Sequence, residues 1–202
     1  MGNIEAVLFD WGGVLIENPA PGLMAYCAKA LSVPVEDYTR VHRRHSDAFQ
    51  EGRIDEAVFW QRVCRALGRP VPEQASLWGE AFRAVYSPRT KVFALAWQLR
   101  EKGHRIALLS NTEAPAMEFS LELRYDMFDA QIFSCAEGVC KPRKAIYEIA
   151  ARKLRTPAGQ CVLIDDRLDF VEGARNAGMA GIVYENLGQV GRDLAQLSIR
   201  VE

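Results

Sequence analysis

Asp10 closes the short apolar run Ile4-Glu5-Ala6-Val7-Leu8-Phe9 and is followed at once by Trp11-Gly12-Gly13-Val14-Leu15. A run this short reads as a buried strand. The paired glycines force a turn and remove side chains that would hold a ligand off the backbone. An acid at the end of a parallel strand stands where open α/β sheets bind ligands. A carboxylate presented there can act as nucleophile, as metal ligand or as both. The bland alternative is that Asp10 caps the turn.

Three later segments bear on that choice. Ile106-Ala107-Leu108-Leu109 runs into Ser110-Asn111-Thr112. These three side chains can donate to phosphate oxygens, and a helix starting after them would add backbone N–H groups. The same residue types also favour a helix N-cap. Val139-Cys140-Lys141-Pro142 precedes a helical stripe of Ala145, Ile146, Ile149, Ala150 and Leu154. Proline suits the first helical turn, so Lys141 is held where it could neutralise a substrate anion, although a lone lysine can equally be solvated. Cys161-Val162-Leu163-Ile164 ends in Asp165-Asp166, with Asp169 beyond. Adjacent acids at the end of an apolar strand repel each other and resist burial. A hard cation such as Mg²⁺, which seeks carboxylate oxygens and retains waters and substrate phosphate, resolves that conflict.

The elements that must position these residues are legible as periodicity. After the first strand no strand pattern appears until roughly Tyr86. Leu23, Cys27 and Leu31 share one helical face; Tyr38, Val41, His45, Ala48 and Phe49 make a second stripe. Val58, Phe59, Val63, Ala66 and Leu67 make a third, with Asp55 as cap and Gly68 as stop; Leu77, Trp78, Ala81, Phe82 and Val85 make a fourth. Four amphipathic helices joined by short loops read as a bundle. Ser87-Pro88 caps a return helix carrying Val92, Phe93, Leu95, Ala96 and Leu99 and stopped by Gly103. Helices then alternate with strands near Ile106–Leu109, Gln131–Ser134, Cys161–Ile164 and Ala180–Val183. The alternation predicts an α/β fold: a three-layer, Rossmann-like core with a parallel sheet and an inserted four-helix cap. Residues 1–15 and 87–202 form the core in this reading, and 16–86 the cap.

The four chemistry-bearing segments, in this order and spacing over essentially the whole chain, resemble the four motifs of the haloacid dehalogenase-like hydrolase superfamily. The resemblance is strongest to small phosphatases whose helical cap follows the first motif. Within those, Phe49-Gln50-Glu51-Gly52-Arg53-Ile54 and His104-Arg105-Ile106-Ala107-Leu108-Leu109-Ser110-Asn111-Thr112 are similar to one subgroup. It comprises sugar-phosphate phosphatases related to α-glucose-1-phosphate phosphatases, and the N-terminal phosphatase domain of soluble epoxide hydrolases. The resemblance implies a Mg²⁺-dependent phosphomonoester hydrolase for a small phosphorylated metabolite, with a sugar 1-phosphate as a candidate. It implies Asp10 as nucleophile, forming an aspartyl-phosphate and also binding Mg²⁺. The Gly12 carbonyl and Asp166 would be further metal ligands, with Asp165 supporting the metal through water or by orienting its shell. Ser110 and Asn111 would hold the transferring phosphoryl group, and Lys141 would pair with it and with Asp10.

One position departs from the usual pattern. The first motif normally carries a second aspartate two residues after the nucleophile as general acid and base; here that position is Gly12. Such help is typically worth about 10²–10⁴ in rate. Phosphoryl transfer survives its loss because positioning and charge stabilisation dominate. A less basic leaving oxygen, such as a sugar's anomeric oxygen, suits the departure. Gly12 also keeps two rivals open, a metal-independent 2-haloacid dehalogenase and a catalytically inactive phosphate-binding protein. The Asp165-Asp166 pair argues against the dehalogenase, since unpaired acids would weaken a carboxylate nucleophile. Gly12 can also require a backbone conformation that aspartate resists.

A cap would form a lid that excludes water and selects the substrate. Arg53, at the break between the second and third stripes, could reach a substrate hydroxyl or phosphate, or could simply be solvated. His45 and Glu17 are candidates for the missing proton donor, although His45 on its apolar stripe equally suits a hydrogen-bonded core histidine; Trp11 could wall the pocket, stack on a sugar or simply pack in the core.

The 202 residues allow one sizeable core with a small appended unit. Lys and Arg total 25 against 26 Asp and Glu, so charge gives no footprint for nucleic acid or a membrane surface. No stretch is apolar enough to span a bilayer, and the early strand leaves no room for a signal peptide. Five cysteines without C-x-x-C spacing fit reduced thiols in a cytoplasm. The expectation is a cytoplasmic monomer or homodimer.

Overall fold

A computed structural model describes residues 3–200. The chain opens with β1 (Ala6–Phe9) and then runs through five helices, α1 (Ala20–Ala30), α2 (Val35–His42), α3 (Ser46–Gln50), α4 (Glu56–Leu67) and α5 (Leu77–Val85). It returns through α6 (Thr90–Glu101), β2 (Arg105–Ser110), α7 (Ala114–Glu122), β3 (Ala130–Phe133), α8 (Ser134–Glu137) and α9 (Lys144–Leu154). A 3₁₀ turn (Ala158–Gln160), β4 (Cys161–Asp165), α10 (Leu168–Asn176), β5 (Ala180–Val183) and α11 (Leu187–Gln196) complete it. Among the described residues no helix is long and apolar enough to cross a membrane.

The strands form one parallel sheet in the order β3-β2-β1-β4-β5. Every residue of β1 is buried, because both faces of a parallel sheet are covered by its crossover helices. Alternation sorts the side chains. Val7, Phe9, Ile106, Leu108, Val162 and Ile164 join one apolar cluster with residues of α6, α7 and α11. Ala6, Leu8, Ala107, Leu109, Cys161 and Leu163 join the other with α9 and α10. The result is the three-layer α/β core that the alternation predicts. The chain winds outward from β1 to β2 and β3, then crosses back to β4 and β5. The topological switch therefore lies between β1 and β4, where open α/β sheets place their ligands. The register pairs Phe9 with Ile164, so Asp10 and Asp165 leave the two strands level with each other.

The inserted helices share the first cluster: Phe49, Phe59 and Trp78 belong to it together with Phe9 and Trp11. α4 is bounded as its sequence predicts. Asp55 accepts the Val58 N–H at 2.8 Å, and Gly68 ends the helix at φ +63°. The second predicted stripe is divided: α2 ends at His42 and α3 starts at Ser46 with His45 at its N-cap, so five helices stand where four were read. The return helix starts at Thr90, not at Ser87-Pro88. Pro88 instead bridges Ile16, while the Glu17 N–H donates to Ser87 O and the Arg89 N–H to Leu15 O. The outgoing and returning crossings thus run side by side. Pro142 likewise stands just outside α9, whose N-cap is Arg143. All five cysteines are free.

Candidate active site

The carboxyl ends of β1 and β4 deliver two acids to one point. Asp10 continues the ladder through its N–H to Ile164 O at 2.9 Å, and Asp165 is the last residue of β4. Between them stands the Lys141 ammonium, 2.9 Å from Asp10 Oδ1 and 2.6 Å from Asp165 Oδ2. Its third hydrogen bond goes to Leu109 O at 3.0 Å, so all three donors of the buried ammonium are used. Asp10 Oδ1 also accepts the Trp11 N–H at 2.7 Å. That leaves Oδ2 as the oxygen free for chemistry. Asp165 has both oxygens engaged, since Oδ1 accepts the Arg167 N–H at 2.9 Å. It is built to hold its neighbours in place.

Asp166 is exposed and completes a group in which Asp10, Asp165 and Asp166 each offer a carboxylate oxygen within 4.8 Å of the others. Gly13 makes this approach possible. It sits at φ +88°, and a Cβ there would lie 2.2 Å from Asp166 Oδ2. Burial, and then Asp165, push the Asp10 carboxyl up to about 7 against the pull of Lys141. Burial and Asp165 also raise Asp166. Burial works against the Lys141 charge, but Asp10 and Asp165 outweigh it and hold the ammonium above the usual lysine range. Three converging acids with one ammonium retain surplus negative charge. An all-oxygen donor set of this kind fits a hard divalent cation.

Ser110, at the end of β2, and Asn111 line the same cavity as Asp10 and Gly12, which has a volume of about 200 Å³. The Asn111 side chain is committed elsewhere. Its Oδ1 accepts the Lys141 N–H at 2.8 Å and its Nδ2 donates to Lys141 O at 3.0 Å. The amide expected to hold a phosphoryl group instead fixes the backbone of the lysine. A second opening of about 300 Å³ flanks Lys141 and shares Gln50, Asn111, Arg167 and Phe170 with the first.

The other sequence candidates separate. Trp11 walls the cavity and is buried against Phe82, with ring centroids 4.8 Å apart. Arg53 lines neither opening: its guanidinium is bound by Glu51 at 2.6 Å and is largely exposed. Glu17 is exposed and paired with Arg89, which lowers its carboxyl. His45 sits at the N-cap position of α3 without a capping hydrogen bond and does not line the cavity.

Residues unread in the sequence take the places facing the site. His42 lies one helical turn after Tyr38 on the stripe that also held His45. It is stacked on Trp78 at 5.2 Å, and burial lowers it to about 4, so it is neutral. Glu113 is buried at the N-cap of α7 and accepts the Trp78 Nε1–H at 3.0 Å. Gln50, Trp78 and Phe82 line the same end. The signal for Glu113 was thin: an acid three residues after Ser110, at an N-cap position where glutamate is not favoured.

The region is tied together by Ser134, whose Oγ accepts the Thr112 N–H at 2.9 Å and donates to Gln50 O at 2.6 Å. Arg143 pairs with Glu51 alongside. Gly52, at φ +64°, lets the chain pass Cys135 O, which a Cβ would meet at 2.2 Å.

A sesquiterpene phosphatase of Aspergillus oryzae, astK, is 26% identical over 182 residues, covering 88% of each chain. A phosphatase of Mycobacterium tuberculosis is 25% identical over 210 residues, covering 96% of this chain and 95% of its own. Two solved structures share the fold. One is a haloacid dehalogenase family enzyme of Bacteroides thetaiotaomicron in complex with magnesium and inorganic phosphate. It has a TM-score of 0.70 and 18% identity, over 93% of this chain and 98% of that one. The other is the L-2-haloacid dehalogenase RSc1362, with a TM-score of 0.67 and 21% identity, over 93% and 88%. The family model for haloacid dehalogenase-like hydrolases matches residues 4–178, and the chain belongs to that family.

Proposed function

We propose that this chain is a Mg²⁺-dependent phosphomonoester hydrolase that works through an aspartyl-phosphate on Asp10. The observation that carries the reading is the Lys141 ammonium held between Asp10 and Asp165, with Asp166 as a third converging acid. In a metal-independent dehalogenase the surplus acids would only weaken the carboxylate nucleophile. Phosphoryl transfer uses it, because the charge on the transferring group must be met by cations. The phosphatase relatives and the neighbour crystallised with magnesium and phosphate lend further support.

In this mechanism Asp10 Oδ2 attacks phosphorus and the bond from phosphorus to the leaving oxygen breaks; the leaving oxygen departs as an alkoxide and takes a proton from solvent, giving an alcohol and the aspartyl-phosphate. Water then attacks that phosphorus and gives up a proton to solvent, the bond to Asp10 breaks, and inorganic phosphate leaves. Lys141 keeps Asp10 oriented and ionised and faces the phosphoryl charge. Ser110 and the backbone after it take the phosphoryl oxygens. Asp10, Asp166 and the Gly12 carbonyl would hold Mg²⁺, whose charge would offset that of the acids and the phosphoryl group; Asp165 would steady the arrangement.

No acid side chain stands at Gly12, and the obstacle to one is a neighbour. Gly12 is not in the left-handed region, yet a Cβ on it would lie 3.0 Å from Pro19 Cδ. Leaving groups of low basicity, sugar 1-phosphates among them, therefore suit the site better than simple alkyl esters. A screen of phosphate monoesters with and without Mg²⁺, with 2-haloacids in parallel, tests the reading. Turnover of monoesters that stops in excess chelator and returns with Mg²⁺ is expected. Haloacid turnover in chelator would replace this reading with the dehalogenase.

A further inference from the structure

The cavity is crowded with charge at the strand ends, but beside Trp78 its lining holds a single acid. Glu113 is 4% exposed and belongs to the cavity wall. It occupies the N-cap of α7 but makes no capping bond. Its carboxyl accepts the Trp78 Nε1–H at 3.0 Å and takes further hydrogen bonds from the Gln50 side chain and its own backbone N–H. These partners are all neutral, and no cation of the cavity lining pairs with it. The arginine on this wall, Arg167, is bound by both oxygens of Asp169 at 3.0 and 2.6 Å. His42, the other titratable group facing this end, is neutral and stacked on Trp78. Burial raises the Glu113 carboxyl. Leu23, Met24 and Phe82 give the lining apolar surface, and Asn18, Gln50 and Thr112 add neutral polar groups. Sites of this type fix a ligand's orientation through a few placed polar groups in an apolar surround.

We propose that Glu113, held by Trp78, is the specificity-determining residue for the leaving group. Its carboxyl accepts a hydrogen bond from a hydroxyl on the organic half of the substrate. The inference rests on the phosphatase reading and narrows its substrate class to small phosphomonoesters whose leaving group is uncharged and bears a hydroxyl. A second phosphate or a carboxylate on the leaving group would meet Glu113 without a cation to offset it. The cavity's volume of about 200 Å³ also limits the leaving group to a small one.

The test compares glycerol 1-phosphate, propyl phosphate and 3-aminopropyl phosphate, with p-nitrophenyl phosphate as a general monoester, all with Mg²⁺. The wild type should favour glycerol 1-phosphate over propyl phosphate by at least about tenfold in kcat/KM, the scale of one hydrogen bond to an ionisable group. Glu113→Leu should bring that ratio to within about threefold of unity. Glu113→Gln keeps an acceptor for Trp78 and should give an intermediate ratio, with the change mainly in KM. The ratio is read only on variants whose circular dichroism and melting temperature match the wild type. An unchanged ratio in Glu113→Gln and Glu113→Leu would overturn the proposal. So would a preference for 3-aminopropyl phosphate, since the acid would then be reading a cation. If the wild type hydrolyses none of the four, the phosphatase reading itself fails and this inference falls with it.

Discussion

The two ends of the cavity are built on opposite plans. At the carboxyl ends of β1 and β4 nearly every polar atom is spoken for: Lys141 has three acceptors, Asp165 two donors, and Asn111 is clamped to the lysine backbone. At the far end aromatic rings dominate. Trp78 touches His42, Phe49 and Phe59, and Glu113 is the isolated acid among them. The first end is specified by strand order, which sets two acids level across a switch point. The second is specified by which inserted helix lies opposite, and is free to vary without disturbing the first.

The sharpest way to break this contrast is at the proposed nucleophile. Asp10→Asn should cut turnover at least about a thousandfold, roughly 4 kcal/mol of barrier, with the fold intact by circular dichroism. Retention of more than about one per cent of activity would remove Asp10 from the role. Lys141→Met attacks the same end through stability. It leaves two buried acids without their cation, a change that costs about 3–5 kcal/mol. Urea unfolding should show the loss near neutral pH and a smaller one in acid, where Asp10 takes up a proton. An equal loss at both would mean that packing, not charge, accounts for it.

The far end should respond to pH instead. His42 has its proton affinity lowered from 6.5 to about 4. Between those values the unfolded chain binds a proton that the folded chain refuses, so acidification favours unfolding. The stability lost from pH 6.5 down to 4 should approach about 3 kcal/mol. His42→Phe keeps a ring against Trp78 and should flatten that part of the curve. An identical slope in the variant would assign the acid sensitivity to other groups.

The smallest expected effect lies where the two ends are joined. Gly52→Ala puts a Cβ against Cys135 O from a left-handed backbone. It should cost about 1–2 kcal/mol of stability and lower kcat/KM several-fold by displacing Gln50 and Glu51. Wild-type kinetics would show that this loop does not set the cavity's shape.

The same contrast explains what could be read in the sequence. Asp10, Ser110, Lys141 and Asp165 announced themselves because apolar runs ended abruptly in polar residues, and strand order does the rest. Asp55 and Gly68 bounded α4 for equally local reasons. His42 and Glu113 gave no comparable signal, since what matters about each is Trp78, which reaches them from another helix. The turn at Arg43–His45 was missed because helical spacing continues across it without a glycine or proline to punctuate it. Gly12 was misjudged for a related reason. A backbone constraint can be guessed locally, but the Pro19 ring that crowds it is a contact.

The paired crossings at Leu15–Glu17 and Ser87–Arg89 have a wider consequence. They form a neck: Ile16 bridges Pro88, and Arg89 holds both Glu17 and Gly13 O. Because its two strands are stapled together, whatever hangs from the neck closes a loop whose entropy grows only slowly with its length. The helices beyond it leave and rejoin the sheet at one point, yet Phe49, Phe59 and Trp78 pack in one cluster with Phe9 and Trp11. A set of helices grafted at the neck would have to bury those two rings as well. Glu113 would stay behind with the sheet, so the transplanted helices would have to meet an acid they did not bring.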